Sequence, residues 1–272
     1  MNRLIRLLLN PPPYHIFIRK ILKKFKIGSY EFRYNYSAID RPHYGYILYQ
    51  AAALAKALHY KKISVIEFGV ATGAGLINLE MQVKEISRIF EVDIDIYGFD
   101  NAIGLPPPKD YRDCPYLWSK GSFKMDEVNL RSKLKDSKLI LGDISKTSKT
   151  FFEEYNPAPI GAVIYDFDFY TSTVQALKML ENDSKFYLPR VFSYFDNTIG
   201  NNKSAFNDFT GERLAINEFN EDHEKIKIAK PYDLVEKDEF DYWYKQILVT
   251  HFFEHKDYCK YIGDKIKKIK LN

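Results

Sequence analysis

The stretch Ile63-Ser-Val-Ile-Glu-Phe-Gly-Val-Ala-Thr-Gly-Ala-Gly75 decides the fold. Residues 63–68 are mostly apolar and β-branched, which predicts a short strand that ends where the glycines begin. Beyond them, apolar residues recur at three- and four-residue steps, as on one face of a helix: Leu76, Leu79, Val83, Ile86 and Phe90. A second apolar run, 94–99, follows directly. The segment therefore predicts a β-α-β unit of a parallel sheet.

The same alternation continues along the chain. Further strands are predicted at 139–141, 162–165, 191–195, 225–229 and 246–251. Helices are predicted at 51–58, 147–155, 171–180 and 214–221. Strands that alternate with helices predict an α/β domain, with a mostly parallel sheet and helices on both of its faces.

Length, charge and cysteine content narrow the class of protein. The 272 residues suit one domain, and no apolar run is long enough to cross a bilayer. A net charge of +4, from 40 basic and 36 acidic residues, gives no indication of a nucleic-acid partner. Cys114 and Cys259 are not spaced as a disulfide framework or a metal site, so we expect a reducing, cytoplasmic location.

Residues 1–43 are predicted to be a basic, helical extension of a domain at 44–272. The apolar run 4–9 resembles the start of a signal peptide, but Asn10 and the three prolines 11–13 interrupt it. Apolar and basic residues then alternate at helical spacing over 16–25. We expect this helix to pack on the domain or on a second subunit of a homo-oligomer, and contact with an anionic membrane is the alternative.

The glycines of the opening stretch indicate a ligand site. Gly69, Gly73 and Gly75 let the backbone turn sharply and approach a ligand closely. Their spacing is neither that of a dinucleotide-binding G-x-G-x-x-G turn nor that of a triphosphate-binding loop, which favours a cofactor without phosphate. Asp100 ends the second strand, where it is predicted to accept hydrogen bonds from two ribose hydroxyls.

Acidic residues follow two later strands. Asp166 and Asp168 come after the fourth strand, and Asp196 and Asn197 after the fifth, so their side chains are expected at one sheet edge. Asp166, Asp196 and Asn197 are predicted to bind Mg²⁺ or a similar cation, which would lower the pKa of a substrate hydroxyl. Asp168 is the predicted general base. The alternative is that Asp168 or Thr171 only caps the following helix.

The loop 104–123 is rich in proline and aromatic residues. A long loop of this composition is typical of a functional segment rather than of a linker between domains. We predict that it forms a lid or a substrate-binding loop.

Six motifs occur together and in a fixed order: Glu67-Phe-Gly69, Tyr97-Gly-Phe-Asp100, Gly104-Leu-Pro106, Trp118-Ser-Lys-Gly-Ser-Phe123, Asp166-Phe-Asp168-Phe-Tyr-Thr-Ser-Thr173 and Asp196-Asn197. In this order they resemble the macrocin O-methyltransferase family over roughly 44–219. The resemblance implies a Rossmann-like class I methyltransferase fold, with a seven-stranded sheet and an antiparallel C-terminal strand. It also implies a divalent-metal-dependent O-methyltransferase that uses S-adenosylmethionine and methylates a hydroxyl of a sugar or glycosylated acceptor.

The resemblance further implies roles for individual residues. The aspartates matching Asp166 and Asp196 bind Mg²⁺ in that family, and the one matching Asp168 is regarded as the base. Asn197 stands where those enzymes usually have a second aspartate, although an Asp, Asp, Asn set is similar to that of catechol O-methyltransferase. Arg190 and Val191 replace the usual glycine pair before the fifth strand.

The predicted cofactor site comprises residues from four strand ends. They are Glu67, Phe68, Gly69, Ala71, Gly73, Gly75, Asp100, Asn101, Asp143 and Asp166. Asp143 is expected near the adenine. Two other functions stay open: a non-catalytic cofactor-binding protein of the same fold, for which Asn197 is the hint, and an NAD-dependent oxidoreductase, which the sheet type and Asp100 would also suit.

Overall fold

The structure, a computed structural model, describes residues 14–200, 203–234 and 242–263. The signal-like run at 4–9 therefore lies outside the described residues. Within those ranges, no helix is both long enough and apolar enough to cross a membrane.

Seven strands form one sheet. They are β1 (Lys62–Phe68), β2 (Asp93–Asp100), β3 (Lys138–Leu141), β4 (Ile160–Tyr165), β5 (Tyr187–Phe195), β6 (Ile226–Ala229) and β7 (Ile247–Phe252). Their order is β3-β2-β1-β4-β5-β7-β6. β1 to β5 pair in parallel, and β7 lies antiparallel to both β5 and β6. The prediction of a mostly parallel sheet with an antiparallel C-terminal strand is confirmed.

Eight α-helices accompany the sheet in the described ranges. They are α1 (Tyr14–Phe25), α2 (Tyr30–Asn35), α3 (Pro42–Ala57), α4 (Ala74–Phe90), α5 (Glu127–Lys133), α6 (Ile144–Tyr155), α7 (Tyr170–Leu177) and α8 (Gly211–Asp222). Successive residues of β1 point to opposite faces of the sheet. Val65 packs in a core with α3 and α4, whereas Ile66 packs in a second core with α6, α7 and α8. Because both faces are covered, six of its seven residues are buried.

Two elements begin four or more residues earlier than the sequence pattern predicts. Helix α3 starts at Pro42 instead of residue 51, because 44–48 is buried throughout and shows no polar face. Strand β5 starts at Tyr187 instead of residue 191. Its pairing with β4 shifts register between Ile160 and Ala162, and Pro189 lies in this irregular part, where a ladder hydrogen bond is not required.

The N-terminal helices contact the rest of the chain. Leu22 of α1 packs with Ala38, and the hydroxyl of Tyr30 in α2 donates a hydrogen bond of 2.7 Å to Oε1 of the buried Gln82. The predicted boundary between residues 43 and 44 falls in the first turn of α3. A separate extension at 1–43 stays a prediction.

Candidate active site

A cavity of about 550 Å³ opens at the carboxyl edge of the parallel strands. Strands that run in parallel end at the same edge, so residues distant in sequence meet there. Eight of the predicted site residues line it: Gly69, Ala71, Asp100, Asn101, Asp143, Asp166, Asp168 and Asp196. Glu67, Phe68, Gly73, Gly75 and Asn197 are not among the residues that line the cavity.

The three glycines of the motif make room for protein atoms. A Cβ on Gly69 would overlap the carbonyl oxygen of Asp166, and one on Gly73 would overlap the side chain of Leu130. A Cβ on Gly75 would overlap the carboxylate of Glu67. The glycines therefore allow β4, α5 and the Glu67 side chain to pack close to the turn. The packed turn forms part of the cavity wall that a ligand would contact.

Asp100 joins the ends of β1 and β2. Its Oδ2 accepts a hydrogen bond from the amide of Ala71 at 2.8 Å, and its Oδ1 accepts one from the amide of Ala102 at 2.6 Å. Each carboxylate oxygen has about two lone-pair sites, so each retains one for a ligand hydroxyl. Ala71 adopts a left-handed backbone (φ 48) that this contact helps to fix.

Asn101 and Asp143 shape the neighbouring wall. Asn101 donates from Nδ2 to the carbonyl of Gly104 at 2.9 Å, closing the first turn of the loop 104–123. Asp143 caps α6, since its Oδ1 accepts the amide of Ser145 at 2.8 Å. Phe68 lies beneath the wall, with its ring stacked on Phe167 at 5.3 Å.

The aspartates after β4 and β5 line one part of the cavity. Asn197, which is buried, donates from Nδ2 to Oδ1 of Asp168 at 3.0 Å. Tyr194 donates its hydroxyl to Oδ1 of Asp196 at 2.6 Å. The amide oxygen of Asn197 has no hydrogen-bond partner in the described part of the chain. This set combines carboxylate oxygens with an amide oxygen.

Burial and mutual repulsion disfavour the charged forms of these carboxyl groups. Burial, followed by the charge of Asp196, raises the pKa of Asp168 to about 7. The pKa of Asp166 is raised well above its usual value by burial first, and then by Asp196, Asp168 and Glu67. Binding of a proton or of a cation would reduce the unfavourable charge of these carboxyl groups.

No protein-family model matches the chain, and its sequence matches no curated protein. Solved structures do match. The crystal structure of CalS11, a calicheamicin methyltransferase, covers 93% of this chain and 98% of its own at 18% identity, with a TM-score of 0.52. The fold is that of a class I methyltransferase.

Two further matches are weaker. The apo structure of CalS11, described as a TDP-rhamnose 3'-O-methyltransferase, has a TM-score of 0.43 at 18% identity, covering 91% of this chain and 98% of that one. The plantazolicin methyltransferase BamL, in complex with a triazolic desmethylPZN analog and SAH, has a TM-score of 0.37 at 9% identity, covering 81% of this chain and 87% of that one. Membership of the macrocin O-methyltransferase family stays a prediction.

Beside the strand ends of this class I methyltransferase fold lies a buried acid that sequence reasoning missed. Glu212, in the first turn of α8, is fully buried and accepts the amide of Asn197 at 2.9 Å through Oε2. Burial raises the pKa of its carboxyl group well above the usual value. In the sequence alone, Glu212 cannot be distinguished from the solvent-exposed acidic residues that are common in the first turns of helices.

Two side chains at the start of α3 bring a positive charge and a hydroxyl group close to the site. Tyr44 donates its hydroxyl to Oε1 of Glu67 at 2.7 Å, and the guanidinium of Arg41 lies 5.0 Å from the centre of the Tyr44 ring. Burial raises the pKa of Glu67 to about 7, while Tyr44 and then Arg41 oppose the rise. The positive charge of Arg41 also opposes the rise that burial and the neighbouring acids cause in the pKa of Asp166.

Asp168 does not cap the next helix. The N-cap of α7 is Phe169, which makes no side-chain hydrogen bond there. The amide of Thr171 is bound by Asp113 from the loop 104–123, at 2.9 Å. The carboxyl group of Asp168 is therefore left for the cavity and Asn197.

The predicted metal site is not shown. In the described ranges, no group of three or more His, Cys, Asp or Glu side chains is arranged to hold a metal ion. Asp166 and Asp196 nevertheless line the same cavity. Metal binding through these two residues and Asn197 stays a prediction.

Proposed function

We propose that the chain is an S-adenosylmethionine-dependent O-methyltransferase that acts on a hydroxyl of a sugar or glycosylated small molecule, with the help of Mg²⁺ or a similar divalent cation. One observation carries the proposal. Asp166, Asp168 and Asp196, from the ends of two strands, line the same cavity as Asp100 and the Gly69–Ala71 turn. A polar reaction centre is thus joined to a nucleoside-sized pocket.

Several features support the cofactor. The cavity volume of about 550 Å³ falls in the range of small-molecule sites. The free lone pairs of Asp100 suit ribose hydroxyls, and the turn at 69–71 contributes backbone to the wall. The fold shared with CalS11 is that of a methyltransferase.

The sugar acceptor has three supports. CalS11 is described as a TDP-rhamnose 3'-O-methyltransferase, and the motifs of this chain resemble a family that methylates sugar hydroxyls. The cavity also has an aromatic wall formed by Trp118, Phe123 and Phe167. Such rings can pack against the apolar face of a sugar.

The residues present suit a hard cation in their chemistry. Carboxylate and amide oxygens are ligands that Mg²⁺ accepts, and the amide oxygen of Asn197 is buried without a partner in the described part of the chain. Asp166, Asp196 and Asn197 would hold the ion. Such an ion, when bound, lowers the pKa of a substrate hydroxyl and orients it.

Asp168 is suited to take the proton of the hydroxyl. With a pKa near 7, its carboxyl group is partly ionised at neutral pH, the range in which a general base is most effective. The hydroxyl oxygen would form its bond to the methyl group while the bond from that methyl to sulfur breaks. The oxygen's proton would pass to Asp168, which Asn197 holds in place. The rest of the wall contributes positioning and exclusion of water.

The first test is ligand binding followed by turnover. Isothermal titration with S-adenosylhomocysteine and with NAD should show binding of the former only. Sugar nucleotides, oligosaccharides and phenols are then screened with a radiolabelled methyl donor, in MgCl₂ and in EDTA. We expect transfer to a sugar hydroxyl that EDTA abolishes. Binding of NAD alone would indicate an oxidoreductase, and cofactor binding without transfer to any acceptor would indicate a non-catalytic protein.

A further inference from the structure

Helix α1 exposes a stripe of apolar side chains. Tyr14, Phe17, Ile21 and Phe25 follow one another at steps of three, four and four residues, which places them on one side of the helix. The three aromatic residues are 67%, 66% and 64% exposed, respectively. We call Tyr14, Phe17, Ile21 and Phe25 the aromatic stripe.

The aromatic stripe is not what attaches α1 to the domain. The neighbouring residues Ile18 and Leu22 pack with Ala38, and Lys23 forms an ion pair with Asp40. These contacts fix the helix on one side only. Contiguous exposed apolar surfaces are typical of sites that bind a protein, a membrane or a ligand.

The sequence on either side of the stripe carries charge of a single sign. No acidic residue occurs before Glu31, whereas seven basic residues do: Arg3, Arg6, Arg19, Lys20, Lys23, Lys24 and Lys26. Lys20 and Lys24 are exposed beside the stripe, and Nζ of Lys24 lies 5.5 Å from the Phe25 ring. In a chain with a net charge of only +4, this is a strong local concentration of positive charge.

We propose that α1 binds the chain to the surface of an anionic membrane. The helix would lie in the plane of the surface, with the aromatic stripe in the boundary between headgroups and acyl chains and with Lys20 and Lys24 beside lipid phosphates. A second copy of the chain is a poorer occupant, because two-fold pairing of α1 would bring its lysines against each other. The lipid surface complements both the apolar side chains and the charge. This inference does not depend on the proposed activity.

Vesicle co-sedimentation of the full chain tests it. We expect binding to vesicles of phosphatidylcholine mixed equally with phosphatidylglycerol, little binding to phosphatidylcholine alone, and release by NaCl. Phe17→Ser together with Phe25→Ser should lower the partition coefficient at least about tenfold. Phe209→Ser, which changes an exposed aromatic residue elsewhere, should leave it unchanged.

A second pair of variants isolates the charge. Lys20→Gln with Lys24→Gln should abolish the preference for phosphatidylglycerol. Lys146→Gln with Lys149→Gln removes the same charge from exposed positions of α6 and should not. Equal binding to both vesicles, or equal loss in both lysine pairs, would overturn the proposal. So would sedimentation velocity showing a dimer that Phe17→Ser with Phe25→Ser converts to monomer, because the stripe would then be covered by a second copy.

Discussion

Asp168 has a left-handed backbone (φ 62), a conformation that a residue other than glycine keeps only where its surroundings hold it there. The turn places its carboxyl group on the cavity wall, within hydrogen-bond reach of Asn197. Asparagine tolerates the same conformation and has the same shape. Substitution by asparagine therefore removes the basic group with little other change.

We expect Asp168→Asn to lower the rate of methyl transfer at least about 100-fold while S-adenosylhomocysteine binds almost as before. The measurement is turnover with the acceptor found in the screen, alongside calorimetric titration. Asp183→Asn, at an exposed position that does not line the cavity, is the matched control. An unchanged rate would exclude Asp168 as the base.

Arg41 suggests a second prediction at the level of single residues. Its guanidinium has no ion pair in the described part of the chain, and its charge reaches Glu67 and Asp166. The methionine part of the cofactor carries a carboxylate and an ammonium group, which a cation and acidic residues would complement. Arg41 is not on the wall of the cavity, so its long side chain would have to turn toward the ligand.

Arg41→Gln should weaken binding of S-adenosylhomocysteine about tenfold or more, by loss of a charge-assisted contact. Methylthioadenosine lacks the amino-acid part, so its affinity should not change. Arg131→Gln, which breaks an exposed ion pair within α5, serves as the control in both titrations. An equal effect on the two ligands would show that Arg41 only supports the fold.

At the level of elements, one buried side chain attaches the loop 104–123 to α7. Asp113 is fully buried and accepts hydrogen bonds from the amides of Thr171 and Lys109, both at 2.9 Å. It also accepts the hydroxyl of Thr171 at 3.2 Å. Because this loop supplies Trp118 and Phe123 to the cavity, Asp113 positions that part of the wall.

We expect Asp113→Ala to lower the free energy of unfolding by about 1–3 kcal/mol, because the amides of Lys109 and Thr171 lose their buried acceptor. Urea denaturation measures the loss, and amide hydrogen exchange should become faster across 104–123. Asp110→Ala removes a neighbouring, part-buried acid that is paired with Arg112, and should have a smaller effect on both. Unchanged exchange in the loop would mean that other contacts hold it.

The elements also show which features sequence patterns can predict. Helix α4 and the strands around it could be predicted because each buries side chains at a regular spacing. Asp100, Asp166 and Asp196 could be predicted as site residues because they lie at the ends of those strands. Glu212 and the contacts of Asp113 were not found, since burial of an isolated acid depends on distant segments. The role of Gly75 was also missed, because the sequence does not reveal that the Glu67 carboxylate occupies the space beside it.

In the molecule as a whole, the carboxyl edge of the sheet gathers more acids than cations. Burial raises the pKa of Glu67, Asp166, Asp168 and Glu212. Arg41 is the positive charge that acts on the first two. Burial and the neighbouring acids therefore disfavour the charged forms of these carboxyl groups where the proposed methyl donor and cation would bind, as is common at functional sites.

Glu67 allows the cost of burying one of these carboxylates to be measured. Its pKa rises from 4.5 to about 7 on folding, so between these values the folded chain binds a proton that the unfolded chain has lost. Its contribution to stability is full below about pH 4.5 and is lost as the pH rises through about 7. Part-buried histidines such as His43, whose pKa is lowered to about 3 mainly by desolvation, act in the opposite direction, so the total pH dependence does not isolate Glu67. Relative to wild type, Glu67→Gln should gain up to about 3 kcal/mol in the free energy of unfolding between about pH 5 and about pH 8.

Urea denaturation over this range measures the difference, with Glu154→Gln on the exposed surface of α6 as control. Parallel curves for Glu67→Gln and wild type would show that this carboxyl group is ionised in the fold throughout.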